Sequence, residues 1–204
     1  PMVESFGGKL LDENGKAVFD SPEALKAFHL IKDMVFEAKI VPSNVASLKY
    51  DETSDMFTAG RAAMYWDGSH RSSKYVEGIG AENLRLIPFP SETGEVPGPS
   101  YIGYWALGIP KNSKNPEIAW EYIKNFVEAE NQAIYAKISG EVPIRKSAME
   151  DEFFETDENG QRIKWFVDYV SENGTIGVAP VDFSNLSEIL SLAVQQIITD
   201  ENSD

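Results

Sequence analysis

The sequence predicts an α/β fold rich in helix, with a small mixed sheet. Three observations predict it. Short extended runs and amphipathic helical segments alternate through roughly the first 130 residues, and helical patterns dominate the remainder. Several helical segments carry their own start or stop signals: Ser21-Pro22 and Asn115-Pro116 open two of them, and Gly60 and Gly140 close two others. A chain of 204 residues, 42% of them hydrophobic, can bury a core without staples, and with no cysteine it has no disulfide to use.

The elements follow in order. Residues 7–11 and 16–19 flank Asp12-Glu13-Asn14-Gly15, and Asn-Gly between extended runs signals a hairpin. Ser21-Pro22-Glu23 opens a helix with an N-cap, Pro at N1 and an acid in the first turn. Leu25, Phe28, Ile31 and Val35 are its expected buried stripe, and Pro42 ends the run. A second helix is expected over 52–59, stopped by Gly60 in the left-handed conformation.

Residues 62–66 read as a short strand, whose alternation sends Tyr65 and Trp66 to opposite faces. Ser69 is expected to cap a helix ending near Gly78. Residues 84–89 read as another strand, closed by Pro88 and Pro90. The Pro-, Gly- and Glu-rich stretch 91–100 reads as a loop or crossover between lobes.

Residues 101–109 are extended and aromatic, with Tyr104 and Trp105 again expected on opposite faces. Asn115-Pro116-Glu117 begins a long helix with Ile118, Tyr122, Ile123, Phe126 and Val127 on one side. Residues 131–139 form a short helix ended by Gly140. Two more are expected over 147–155 and 161–171, with Asn159-Gly160 turning the chain between them. The last helix is expected to start at Asn185, with Glu188 completing a capping box and Leu186, Ile189, Leu190, Ala193 and Ile197 as its apolar stripe.

Charge and composition remove several function classes. A net charge of −15, from 33 acids against 18 bases, disfavours nucleic acid and anionic lipid and suits a neutral or cationic ligand. No apolar run approaches the length of about 18 residues that a membrane span needs. His29 and His70 have no metal-ligand spacing, and Asp157-Glu158-Asn159-Gly160 places its glycine too early for a calcium loop, so no metal and no cofactor are expected.

Catalytic signals are equally sparse. Gly68-Ser69-His70 sets a serine beside a histidine, but a triad is assembled in space and not by adjacency. There is no Gly-x-Ser-x-Gly elbow, and Gly78-Ile79-Gly80 does not open a helix after a strand. No residue is assigned a catalytic role.

Binding is the better supported chemistry. Residues 59–70 run from a helix stop through a short apolar strand into Trp66-Asp67-Gly68-Ser69-His70. A strand that delivers aromatic and polar groups together at its exit is a common way to build a small-molecule pocket. Trp66, Tyr104 and Trp105 are candidate flat platforms for the C–H face of a sugar ring. Asp67, His70 and Arg145 are candidate partners for its hydroxyls. A hydrogen bond to a charged group contributes roughly 1.5–3 kcal/mol, so a few of them set orientation. The competing reading is core packing for each aromatic ring and a surface charge for Arg145.

Several segments, in order, resemble the family 1 extracellular solute-binding proteins of ABC importers, the maltose-binding-protein-like group. They are Phe6-Gly7-Gly8-Lys9-Leu10-Leu11-Asp12, Phe57-Thr58-Ala59-Gly60-Arg61-Ala62-Ala63-Met64 with Gly68-Ser69-His70 after it, and Leu86-Ile87-Pro88-Phe89-Pro90. Tyr104-Trp105-Ala106-Leu107-Gly108-Ile109-Pro110, Ser113-Lys114-Asn115-Pro116-Glu117 and Ser139-Gly140-Glu141-Val142-Pro143 continue the series.

The resemblance implies a type II periplasmic-binding-protein-like fold whose two lobes close on a ligand. It implies capture of a solute, a sugar or oligosaccharide above all, and delivery to a membrane permease without catalysis. The implied location is extracytoplasmic, either periplasmic or lipid-anchored at the outer face of the cytoplasmic membrane. Members of the group are about twice as long, so the chain is expected to be a C-terminal half, and its opening Pro1-Met2-Val3, without an initiator Met, reads like the interior of a domain.

Within that half, residues 1–99 and 144–204 are expected in the C-terminal lobe, and 100–143 in a segment that crosses into the N-terminal lobe. The crossing segment's apolar helix face would need a partner. Sugar-binding members often carry Trp where this chain has His70, and Trp66 stands nearby as an alternative platform. Two other readings are a fragment of a glycan-acting enzyme and a non-binding scaffold of the same fold.

Overall fold

The computed structural model describes residues 2–42, 44–94, 97–176 and 183–202; Pro1 and positions 95 and 96 of the 91–100 loop lie outside that set. The described residues form nine α-helices: α1 (Met2–Ser5), α2 (Pro22–Phe36), α3 (Tyr50–Thr58), α4 (Ser72–Ile79), α5 (Pro116–Phe126), α6 (Ala129–Ser139), α7 (Phe153–Thr156), α8 (Glu158–Asn173) and α9 (Phe183–Thr199). Two short strands, β1 (Ser100–Tyr101) and β2 (Gly174–Thr175), complete them. The chain divides into two compact units, one made of 1–53, 88–102 and 173–204, the other of 54–87 and 103–172.

In the first unit, the expected hairpin contracts to a single antiparallel bridge, Leu11 with Ala17. The turn is held by Asp12, whose Oδ1 accepts the N–H groups of Asn14 and Lys16 at 2.9 and 2.8 Å. α2 starts as its sequence dictates: Ser21 Oγ accepts the Ala24 N–H at 3.2 Å, and Pro22 occupies the first turn.

The face that α2 buries differs from the expected stripe. Ala24 and Ala27 are buried with Val3, and Met2, Phe6, Leu10, Phe19 and Phe28 pack around them, while Leu25 stays 56% exposed. Small alanines let α1 and the following loop approach closely. A Cβ at Gly8 would stand 2.9 Å from both Glu23 Cβ and Val3 Cγ1. Elsewhere in the first unit, β1 and β2 pair in parallel, in register Ser100 with Gly174, and α9 packs on α2. α9 begins two positions earlier than the capping box at Asn185 suggested.

In the second unit, α3 ends as expected, with Gly60 at φ +67°. The core is Ala133, Ala136, Ala148, Phe154 and Ile163, flanked by Ala129, Val142, Met149 and Phe153. Gln132 is buried among them with both ends of its amide satisfied: Nε2 donates to the Phe126 carbonyl at 2.9 Å, and Oε1 accepts the Ile144 N–H at 3.2 Å.

Three expectations fail here. Residues 62–66 and 84–89 are neither helical nor part of a ladder among the described residues, because a strand needs a paired neighbour and not only an apolar run. The helix expected over 147–155 is broken into a 3-10 turn, Lys146–Glu150, and α7. Asn159 and Gly160 lie inside α8 and do not separate two helices. Asp157 starts that helix by accepting the Asn159 N–H at 2.8 Å. Gly160 is a packing glycine: a Cβ on it would fall 2.0 Å from the Phe153 carbonyl oxygen.

Candidate functional site

The segment leaving Gly60 runs without helix or strand, bending at Ala63, to an extended Gly68, then tightens into a 3-10 turn, Ser69–Arg71, that leads into α4. Its alternation works as predicted at one pair. Tyr65 turns inward to a ring cluster, with centroids 6.1 Å from Phe57 and 6.0 Å from Tyr75, while Trp66 is 56% exposed. Edge-to-face and offset ring pairs of this kind contribute about 0.5–1.5 kcal/mol each beyond burial.

A cleft of about 150 Å³ opens beside this segment. Met64, Trp66 and Asp67 form one side, Arg85, Leu86 and Ile87 another, and Trp165 and Phe166 of α8 close it. A wider, open groove of about 580 Å³ shares Leu84, Arg85, Leu86 and Trp165 with the cleft and adds Glu82, Gln161 and Arg162.

Asp67 is the electrostatic centre of the cleft wall. Its side chain is 7% exposed, with His70 Nε2 3.9 Å from Oδ1 and Arg71 Nε 4.0 Å from Oδ2. Oδ1 accepts the Gly68 N–H at 2.8 Å, and Oδ2 accepts the Tyr75 hydroxyl. Burial, and then the hydrogen bond to Asp67, hold the Tyr75 phenol above its ordinary pKa, so it remains a neutral donor.

The six residues singled out from sequence do not all meet. Trp66 and Asp67 line the cleft together, and His70 stands against Asp67 just outside it. Tyr104 and Trp105 lie on the extended segment after β1 and are not among the lining residues. At 76% and 91% exposed, they both face outward, where alternation predicted one inside. Arg145 Nε donates to the Val127 carbonyl at the end of α5, a favourable place for a cation at a helix C-terminus.

Sequence reading missed the far wall. Trp165 stacks on Tyr169 at 5.2 Å and 22° and meets Phe166 edge-on. The spacing of four between Trp165 and Tyr169 was the available signal, since it stacks two rings on one helix face. Nothing in the spacing tied that face to residues 84–87. Among the described residues no cluster of His, Asp or Glu is arranged to hold a metal ion, and no helix is long and apolar enough to cross a membrane.

Residues 1–133 match the family described as bacterial extracellular solute-binding protein. The chain belongs to this family. Among curated relatives, the solute-binding chain is similar to a Deinococcus radiodurans protein named "Probable ABC transporter-binding protein". The two are 23% identical over 211 residues, which cover 98% of this chain and 48% of that protein.

Among solved structures the chain is similar to maltose-bound MalE3 of T. maritima, with 25% identity and a TM-score of 0.85 over 99% of this chain and 52% of that one. It is also similar in fold to CpMnBP1 with mannobiose bound, at 18% identity and a TM-score of 0.62, again over 99% and 52%. The solute-binding chain thus spans about half the length of the relatives it matches. Its helix-rich architecture with a small sheet, here parallel, is that of the periplasmic-binding-protein fold. The family and these neighbours are binding proteins.

Proposed function

We propose that the chain is part of the sugar- or oligosaccharide-binding subunit of an ABC importer. It works outside the cytoplasmic membrane, periplasmic or lipid-anchored, and hands its solute to a membrane permease without catalysis. The observation that carries this reading is the exposed Trp66 ring at the mouth of a cleft, in a chain similar to a maltose-bound protein. A flat ring covers the apolar face of a pyranose, and the net charge of −15 poses no obstacle to a neutral ligand.

The cleft, about 150 Å³, is smaller than the ~300–1,000 Å³ of typical ligand sites, so it grips one edge of a sugar and other surfaces must complete the enclosure. Tyr104, Trp105, His70 and Arg145 are the proposed further contacts. Residues 100–143 are proposed as the segment that crosses into an N-terminal lobe, with 1–99 and 144–204 in the C-terminal lobe.

Titration calorimetry of the full-length protein with maltose, maltotriose and mannobiose tests this reading. Binding of at least one is expected, with Trp66→Ala and Trp105→Ala each weakening it tenfold or more, about 1.4 kcal/mol. Unchanged affinity in both variants would overturn it. No product release from a chromogenic glycoside is expected.

A further inference from the structure

Behind the cleft, two hydroxyls join two cations to Asp67. Ser54 is fully buried and Tyr75 nearly so. Lys74 Nζ and Arg71 Nη1 lie 3.1 and 3.3 Å from Ser54 Oγ. Ser54 Oγ lies 3.3 Å from the Tyr75 hydroxyl oxygen, and Tyr75 donates to Asp67 Oδ2.

The direction of this chain is forced. Lysine and arginine only donate, and an ionised carboxylate only accepts. Ser54 Oγ therefore accepts from both cations and gives its one proton to Tyr75, which gives its own to Asp67. Reversal would set three donors against the two lone pairs of Ser54 and leave two oxygens facing each other between Tyr75 and Asp67. Aligned hydrogen bonds between a cation and an anion polarise one another, which strengthens the chain as a unit.

We propose that Tyr75 and Ser54 are positioning residues of the ligand cleft: they pin the Asp67 carboxylate and, through it, the backbone that carries Trp66 and His70. The proposal rests on the cleft being the solute site. Asp67 spans the turn, with Oδ2 held by Tyr75 and Oδ1 by the Gly68 N–H, so the Asp67–Gly68 peptide, between Trp66 and His70, has one orientation. The same Oδ1 faces His70 Nε2 at 3.9 Å. With both oxygens engaged inside and the side chain 7% exposed, Asp67 acts on a ligand chiefly through the neighbours it holds in place.

Fluorotryptophan labelling separates this role from binding. The chain has four tryptophans, and the ¹⁹F resonance of Trp66 is identified by its loss in Trp66→Phe. Tyr75→Phe removes only the hydroxyl and keeps the ring against Phe57 and Tyr65. Tyr75→Phe and Ser54→Ala are each expected to move or broaden the Trp66 resonance and leave that of Trp120 on α5 in place. In the full-length protein, Tyr75→Phe is expected to weaken maltose binding at least tenfold.

Ser54→Ala combined with Asp67→Asn is expected to move the Trp66 resonance by less than the sum of the single effects, because the two side chains communicate through Tyr75. If Tyr75→Phe fails to melt cooperatively, Ser54→Ala decides on the same readout. A Trp66 resonance unmoved by these variants, or fully additive effects, overturns the proposal. A resonance that moves as expected in a protein that binds no sugar upholds the positioning chain and removes the sugar-binding reading instead.

Discussion

Gly68 shows how one missing methyl group shapes the cleft. A Cβ there would stand 2.8 Å from His70 Nδ1 and 3.0 Å from its Cε1, while the glycine's own backbone, φ −94° and ψ 171°, suits any residue. Gly68→Ala is therefore expected to displace the imidazole at a stability cost below about 1 kcal/mol. The His70 ring resonances in NMR and the thermal midpoint check the two halves of that statement.

Tyr75 gives a pH signature at the same scale. Its pKa is raised in the folded chain by burial first and the Asp67 hydrogen bond second. The neutral phenol's contribution to stability is fully present below the ordinary phenol pKa of about 10 and is lost as the pH rises through the folded value. A late phenolate step is expected in an absorbance titration, and in Tyr75→Phe that step disappears. A single early transition for every tyrosine would contradict the buried hydrogen-bonded phenol.

At the scale of elements, helix starts were legible because they are local. Ser21 and the Ala24 N–H are three residues apart, so the cap needs no tertiary partner. Gly60 and Gly140 end α3 and α6 at φ +67° and +73° for the same reason. The strands read over 62–66 and 84–89 form no ladder among the described residues, because a ladder is a property of two segments and not of one apolar run.

Gly160 looked like a turn beside Asn159, yet its role is the approach of α8 to the Phe153 carbonyl. Gly160→Ala would place carbon against a backbone oxygen that cannot swing aside. It is expected to cost about 1–3 kcal/mol, read as a lower denaturant midpoint with the slope unchanged. Ser21→Ala, by contrast, is expected to cost only the cap, about 1 kcal/mol.

At the scale of the whole molecule, the second unit leaves large apolar side chains exposed on two of its helices. Ile118 and Tyr122 of α5 are 69% and 64% exposed, and Ile138 of α6 is 80% exposed. The stripe on α5 follows the helical period, but none of its residues is buried. Apolar faces of this kind mark interaction surfaces. The 204-residue chain alone is expected to bind a hydrophobic dye and to self-associate in sedimentation, and Ile118→Lys with Ile138→Lys is expected to reduce both. In the full-length protein the same two lysines are expected to lower the thermal midpoint, because the proposed N-terminal lobe covers that face.

The sequence by itself determined the features whose causes lie within a few residues: capped helices, left-handed glycine stops, the opposite facing of Tyr65 and Trp66, and an acidic composition unsuited to nucleic acid. Tertiary structure alone decided which residues stand across from one another. It brought Trp165 and Phe166 to the cleft that Trp66 lines, buried Ala24 in place of Leu25, and ran two hydroxyls from Lys74 and Arg71 to Asp67. The physical reason is range. Backbone propensity and capping act within one turn of chain, whereas a cleft wall and a directed hydrogen-bond chain exist only when distant segments meet in one place.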